Sequence, residues 1–137
     1  MLYEFSLKTG REGFIDITRS IRESITQSGV QEGICVIHCP HTTAGITINE
    51  NADPDVLHDL EIGMREAFPD RREFRHGEGN SAAHLKASSV GPSLTVIIDG
   101  GRPLLGIWQG IYFCEFDGPR TRKYYVKAIA DAKTTHD

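Results

Sequence analysis

The stretch GICVIHCPHTTAGITINENADPDVLHDLEIGMREAFPD, residues 33–70, decides the fold. Its first eight residues, 33–40, are mostly apolar and β-branched, begin with a glycine and end with a proline. This pattern predicts a buried strand, and residues 43–50 predict the strand that follows it. His41 stands at the junction between these two predicted strands.

The second half of the stretch predicts an amphipathic helix. Asp53 is a candidate N-cap, and Pro54 occupies the first helical position. Apolar residues then recur every three or four positions from Leu57 to Phe68, which gives one apolar stripe. Two strands followed by a helix depart from the strict alternation of strand and helix that builds parallel α/β folds.

The remainder of the chain continues this arrangement. Isoleucines spaced by four positions predict a helix within residues 16–29. Strands are predicted for residues 2–8, 13–17, 93–99, 102–116 and 120–130, and a short helix for residues 82–89 with Asn80 or Ser81 as its cap. Runs of strands with segregated helices predict an α+β fold. We expect one compact domain over residues 1–137, with a mostly antiparallel or mixed sheet layered with two to three helices.

Composition narrows the classes of function. Hydrophobic residues make up 39% of the 137-residue chain and charged residues 25%, which is typical of a folded globular domain. The formal net charge of −4 argues against non-specific binding to nucleic acid. No apolar run approaches the ~20 residues of a membrane span. Cys35, Cys39 and Cys114 form no CxxC pair, which favours reduced thiols and a cytoplasmic protein.

Histidines form the clearest candidate site. His41 lies at the strand junction, and His76 and His84 flank the loop GEGNSAA. Three neutral imidazoles with an open fourth position make a Lewis-acid or hydrolytic metal site, most often for zinc. The spacing of His76 and His84 is not a standard zinc signature, however, and histidines are also common in loops without binding a metal. Cys39 is either a further ligand or a buried thiol.

Acidic residues near the second strand suggest acid–base chemistry. Asp53 is explained by the positive end of the predicted helix. Glu50 would end a strand beside His41, where a carboxylate could serve as general base or orient a ligating imidazole. His58 is either a boundary residue of the amphipathic helix or a catalytic group.

Phosphate binding is suggested by the segment GNSAAHLKASS. A glycine precedes a helix N-terminus, where free backbone N–H groups attract anions, and Lys86 and Ser88 add donors. The alternative is an ordinary capped helix.

Trp108 is interpreted first as a core residue, and otherwise as a wall for a planar ligand or as part of a subunit interface. Gln109 beside it is harder to explain as core.

Three stretches together resemble a known family. HTTAGITINENADPDVLHDLE (residues 41–61), HGEGNSAAHLKASSVGPSL (76–94) and GIWQGIYFCEFDGPR (106–120) occur in the order and at the spacing of the YjbQ family, also called secondary thiamine-phosphate synthase enzymes. The resemblance runs from Gly33 to the C-terminus. It implies a compact α+β fold assembled as a homotrimer, with a histidine-lined site close to the subunit boundaries.

The resemblance also implies roles for individual residues. It assigns the metal to His41, His76 and His84, catalysis to Glu50 and His58, and substrate binding to Asn51, Lys86, Ser88, Trp108 and Gln109. The implied cofactor is a divalent metal, namely zinc, with magnesium as the alternative for a diphosphate substrate. The implied partners are a small phosphorylated substrate and further copies of the chain, without nucleic acid or membrane.

The leading hypothesis is therefore a metal-dependent enzyme acting on a small phosphorylated metabolite. The family name suggests that it joins a pyrimidine diphosphate to a thiazole phosphate, giving thiamine phosphate and pyrophosphate. Two alternatives stay open. One is a metal-assisted hydrolase, and the other is a non-enzymatic trimeric module that binds a metabolite or a metal.

Overall fold

The computed structural model describes residues 1–133 of the chain as eight strands and three helices. The strands are β1 (Leu2–Lys8), β2 (Gly13–Asp16), β3 (Glu32–His38), β4 (Ala44–Glu50), β5 (Ser93–Asp99), β6 (Arg102–Pro103), β7 (Gln109–Glu115) and β8 (Thr121–Ala130). The helices are α1 (Thr18–Ser28), α2 (Pro54–Ala67) and α3 (Ser81–Val90). Every helix predicted from the sequence is present, and each predicted boundary is close to the observed one.

The strands form two antiparallel sheets. The first has the order β1-β8-β3-β5-β6 and the second the order β2-β7-β4. Side chains from both sheets and from α1 meet in one core, which includes the fully buried Ile25, Ile37 and Phe113. The prediction of a single α+β domain with antiparallel pairing is confirmed.

Helix α1 follows from its spacing of apolar residues. Ile21 and Ile25 are fully buried against the sheets, and Ile17 is buried just before the helix begins. On the opposite face, Arg19 and Glu23 form an i,i+4 ion pair at 3.0 Å. Gly29 ends the helix in the left-handed conformation, with φ 75°.

Helix α2 begins as predicted but packs more loosely. Asp53 Oδ1 accepts a hydrogen bond from the Asp55 N–H at 2.9 Å, and Pro54 starts the helix. Its apolar stripe, including Leu57 and Leu60, is only half-buried, and no residue of α2 is fully buried. None of the helices in residues 1–133 is long and apolar enough to cross a membrane.

The prediction of one continuous strand over residues 102–116 is wrong in the middle of that range. It consists of β6 and β7, separated by a loop at residues 104–108. The Gly106 N–H donates to Gln109 Oε1 at 2.7 Å, which closes the loop on itself. The Asn51 amide donates to the carbonyls of Ile107 and Gln109, and this holds the loop against the end of β4. A side chain distant in sequence therefore sets the break in the strand.

The three cysteines are buried free thiols, as expected for reduced residues. Burial raises the pKa of Cys35 to about 11 and also raises the pKa values of Cys39 and Cys114. A thiol with a raised pKa stays protonated near neutral pH. This favours the interpretation of Cys39 as a packing residue over its interpretation as a metal ligand.

Candidate functional site

The loop before α3 brings two histidines together. The Gly79 N–H donates to the His76 carbonyl at 3.0 Å and closes a turn, and Asn80 then starts the helix. His84 lies one helical turn after Asn80, and its backbone N–H donates to the Asn80 carbonyl. The rings of His76 and His84 meet with centroids 5.4 Å apart and planes at 82°.

The separation of these rings is typical of an edge-to-face contact and is also compatible with two ligands of one metal ion. Two imidazoles on a tetrahedral zinc, each at ~2.0–2.1 Å, place their ring centroids roughly 5 Å apart. The observed separation of 5.4 Å lies close to that distance. Within residues 1–133, however, no three His, Cys, Asp or Glu side chains are grouped so that they could hold a metal. The structure therefore brings together two of the three expected ligands.

His41 is placed apart from this pair. It lies half-buried between β3 and β4, and its Nε2 accepts a hydrogen bond from the Lys123 N–H at 2.9 Å. Burial and the neighbouring Arg122 guanidinium lower the pKa of His41. The ring is therefore neutral and is held to β8 by a backbone contact.

A buried ion pair lies next to His41. Arg122 and Glu115 are 4% and 1% exposed, and the guanidinium donates two hydrogen bonds to the carboxylate. The Thr9 hydroxyl donates to the same carboxylate, and Arg122 also donates to the Thr43 hydroxyl at 2.8 Å. This network ties β7 and β8 to the segment before β4, where His41 lies.

The carboxylate network continues from Glu115 to α3. Burial opposes ionisation of Glu115, but hydrogen bonds from Arg122, Thr9 and the Asp117 N–H hold its pKa below the usual range. Asp117 likewise stays ionised, because hydrogen bonds from Asn80 and Arg120 hold its pKa low against the effect of its burial. A chain of charged groups therefore leads from the neighbourhood of His41 to the start of α3.

A polar cavity of about 220 Å³ opens beside the start of α3. Its lining side chains include two cations and three carboxylates, namely Arg11, Lys86, Glu12, Asp70 and Asp117. Neither His76 nor His84 lines this cavity. The cavity and the histidine pair are therefore two separate features served by the same helix.

Lys86 is the most unusual residue of this cavity. It is only 5% exposed, yet its ammonium makes a single long contact, 3.5 Å to Glu12 Oε1. Burying an ammonium is costly unless it is paired and hydrogen-bonded. An ammonium with spare donors at a polar cavity can bind an anion. Ser88, expected to act with Lys86, is exposed and does not line the cavity.

One buried hydrogen-bonding group at the start of α3 also lacks a partner within residues 1–133. Asn80 occupies the N-cap position but makes no side-chain capping bond, and its amide N–H donates to Asp117 Oδ2 at 2.8 Å. The prediction that Asn80 or Ser81 caps the helix is therefore confirmed for the position of Asn80, but the side-chain capping bond is not formed. Asn80 Oδ1 is buried and has no hydrogen-bond partner within residues 1–133. A buried amide oxygen left without a donor costs about 1–3 kcal/mol.

Glu50 does not lie beside His41 in one chain, so that expectation is wrong. Glu50 ends β4, whereas His41 precedes the first residue of that seven-residue strand, so ~20 Å of extended chain separates them. The Glu50 carboxylate accepts from the Ala52 N–H at 3.0 Å, and its carbonyl accepts from the Tyr112 hydroxyl at 2.7 Å. Both contacts hold the end of the strand.

Asn51, Trp108 and Gln109 form a second cluster near Glu50. The side chains of Asn51 and Gln109 are engaged with the backbone of the 104–108 loop. Trp108 is 61% exposed and its neighbour Ile107 is 81% exposed. The interpretation of Trp108 as a core residue is wrong, because the closed loop turns it outward. Its roles as a ligand wall or an interface residue stay open as predictions.

His58 lies on the exposed side of α2. Its Nδ1 is 3.1 Å from Asp59 Oδ1, and its side chain is 67% exposed. This placement agrees with a surface residue of an amphipathic helix. Its catalytic assignment stays a prediction.

Sequence reasoning missed the buried pair of Arg122 and Glu115. A basic residue near a turn is usually solvated, but Arg122 is 4% exposed. The signal was the period-two pattern of β8, in which Arg122 shares a face with the buried Tyr124 and Val126. Glu115 gave a similar signal, because it ends the apolar run of β7.

Comparisons with known proteins agree over nearly the whole chain. The family model described as UPF0047 protein YjbQ-like matches residues 3–131. A UPF0047 protein of Methanocaldococcus jannaschii is 56% identical over 132 residues, which cover 96% of each chain. The UPF0047 protein YugU of Bacillus subtilis is 55% identical over 94% of this chain and 99% of its own length. A crystal structure of an uncharacterised conserved protein of the YjbQ/UPF0047 family from Clostridium acetobutylicum is similar with a TM-score of 0.90 and 55% identity, covering 93% and 99% of the two chains.

Proposed function

The chain belongs to the UPF0047 YjbQ-like family, and we propose that it is a metal-dependent enzyme acting on a small phosphorylated metabolite. Thiamine-phosphate synthesis from a pyrimidine diphosphate and a thiazole phosphate is the candidate reaction. The observation that carries the proposal is the pair of imidazoles from His76 and His84, whose ring centroids are 5.4 Å apart. The buried Lys86, in the separate cavity beside the same helix, supports the choice of an anionic substrate.

His76 and His84 would hold the metal, for which zinc fits two imidazole ligands best and magnesium is the alternative with a diphosphate. A bound divalent cation would neutralise phosphate charge as a Lewis acid. The turn at His76 and the first turn of α3 hold the backbone of both residues, from which the two rings meet. Because residues 1–133 of one chain group only two ligands, the remaining ligands would come from outside them, for example from the substrate, from water or from another copy of the chain.

The phosphate end of the substrate would bind in the cavity beside α3. Lys86 and Arg11 supply positive charge there, and the uncapped N-terminus of α3 supplies backbone N–H donors. Glu12, Asp70 and Asp117 line the same cavity and oppose a highly charged anion. This balance of charges favours a compact ligand with one phosphate group in the cavity.

A homotrimer is part of the proposal, and the outer face of the five-stranded sheet is the surface that we assign to it. Ile34 pairs with Ile97 on one side and with Ile129 on the other, so the three side chains form an apolar row across the sheet. They are 39%, 56% and 44% exposed in the single chain. An exposed apolar row on an open sheet face is typical of a surface that another subunit covers.

The assembly can be tested by placing a charge in this row. Ile97→Lys is expected to dissociate the trimer, because an ammonium would be buried without a partner at the interface. Sedimentation velocity should give three times the mass of the chain for the parent and a lower mass for the variant. Thr26→Lys adds the same charge on the exposed side of α1 and should leave the assembly intact. A trimeric Ile97→Lys variant would contradict this choice of surface.

Metal content is the direct test of the proposed function. The untagged parent, purified without added metal and then reloaded with zinc, should bind near-stoichiometric metal. His76→Ala and His84→Ala should each lose it, whereas His58→Ala, which alters an exposed histidine elsewhere, should keep it. Elemental analysis of the four proteins decides this point. A parent without metal after reloading, or variants that keep it, would contradict the proposal.

Turnover separates the proposed transferase from the alternatives. A synthase releases pyrophosphate only when both the pyrimidine diphosphate and the thiazole phosphate are present. A hydrolase would release phosphate from one substrate alone. A binding module would bind its ligand without any turnover, which calorimetry and product analysis on the same samples would reveal.

A further inference from the structure

The hydrogen bond on His41 limits what its ring can bind. A backbone N–H can only donate, so His41 Nε2 must accept from the Lys123 N–H with its lone pair, at 2.9 Å. A neutral imidazole has one nitrogen with a free lone pair, and the other nitrogen carries a proton. The only lone pair of His41 is therefore already used, and Nδ1 carries the proton.

Other states of the ring do not fit this contact. Turning the ring by half a rotation would place a carbon where Nε2 now accepts the hydrogen bond. Protonating the ring would place a second N–H against the Lys123 N–H. Burial and the adjacent Arg122 lower the pKa of His41, which agrees with a neutral ring. Binding a metal through Nδ1 would require Nδ1 to lose its proton while Nε2 still accepts the hydrogen bond from the Lys123 N–H.

We propose that His41 is not a metal ligand and that its ring is a neutral imidazole with the proton on Nδ1. The inference deepens the proposed function, on which it rests in part, because it leaves His76 and His84 as the ligands among the three histidines that the resemblance assigns to the metal. It agrees with the grouping of the side chains, since the two ligands pair with each other and not with His41 within residues 1–133. It also departs from the three-histidine set that the family resemblance implies.

Conservative variants test the inference by metal content. His41→Gln keeps an oxygen that can accept from the Lys123 N–H, and His76→Gln and His84→Gln are matched changes at the proposed ligands. After reloading with zinc, His41→Gln is expected to hold the same stoichiometry as the parent. The two matched variants are expected to lose zinc. Loss of zinc from folded His41→Gln, to the same extent as from the matched variants, would overturn the inference.

The tautomer itself provides a second readout, one that does not require a bound metal. Long-range 1H–15N spectra of the parent labelled at histidine nitrogen should show His41 as a neutral Nδ1–H tautomer, with assignments made from the single variants. Zinc addition should move the ring signals of His76 and His84 and leave the His41 pattern unchanged. An Nε2–H tautomer, or a zinc-induced change at His41 Nδ1, would overturn the inference. If the parent binds no zinc, the proposed function fails while the tautomer still decides the state of His41.

Discussion

Replacing Arg122 with methionine is expected to lower the free energy of unfolding by about 3–5 kcal/mol. The change removes the guanidinium and leaves the Glu115 carboxylate, which is 1% exposed, as a buried charge without its main partner. Thr9 and the Asp117 N–H would still donate to that carboxylate, but neither brings a positive charge. Urea denaturation of parent and variant measures the difference.

Two further variants show whether the loss comes from the unpaired charge. Arg122→Met combined with Glu115→Leu removes both charges and is expected to be more stable than Arg122→Met alone, because no carboxylate is left buried. Arg19→Met breaks the exposed pair with Glu23 and should change stability by less than about 1 kcal/mol. A loss below about 1 kcal/mol for Arg122→Met, or a double variant less stable than the single one, would contradict the expectation.

The same pair gives the protein a defined sensitivity to acid. The folded pKa of Glu115 lies below its usual value of 4.5, so the unfolded chain binds its proton more readily. The stabilisation is fully present above that usual value and is lost as the pH falls through the lower folded pKa. In Arg122→Met the pKa of Glu115 should rise, since burial then outweighs the remaining hydrogen bonds. With its folded pKa above the unfolded value, Glu115 would bind its proton more readily in the folded state, so acid should no longer cost that variant stability through Glu115.

Much of the fold could be predicted because it is encoded by local periodicity. The spacing of Ile17, Ile21 and Ile25 by four positions is sufficient for α1, and the alternation in β8 is sufficient for a strand with one buried face. The strand from residue 102 to 116 could not be predicted correctly in its middle. Its break depends on Asn51, which reaches the loop from a distant part of the chain.

The candidate site was predictable only where its members are close in sequence. The rings of His76 and His84 meet because only the turn closed by Gly79 and the first turn of α3 separate the two residues. Such local geometry can be predicted from the sequence. The position of Glu50 relative to His41 could not be predicted from the sequence, because it depends on the direction and length of β4. The hydrogen bond from Lys123 to His41 joins residues 82 positions apart, so no local pattern indicates it.

Replacing Lys86 with methionine is expected to weaken binding of inorganic phosphate by about 10- to 100-fold, since a hydrogen bond to a charged group is worth about 1.5–3 kcal/mol. Stability should stay the same or rise by about 1 kcal/mol, because the variant no longer buries an ammonium with a single long contact. Glu12 would keep Arg65 as a neighbour at 3.7 Å. Isothermal titration with phosphate, in the presence of a chelator, measures the binding without any metal.

Replacing Lys86 is expected to lower the affinity for phosphate without lowering the stability, and this contrast separates a role in ligand binding from a role in the fold. A lysine that mainly supports the fold would lose stability and phosphate binding together when replaced, whereas a lysine retained for a ligand loses only the binding. Lys8→Met, at the exposed end of β1, removes the same charge and should leave both quantities unchanged. Phosphate binding by Lys86→Met at the affinity of the parent would place the anion elsewhere. A loss of stability above about 2 kcal/mol would show that the long contact to Glu12 stabilises the fold more than its geometry suggests.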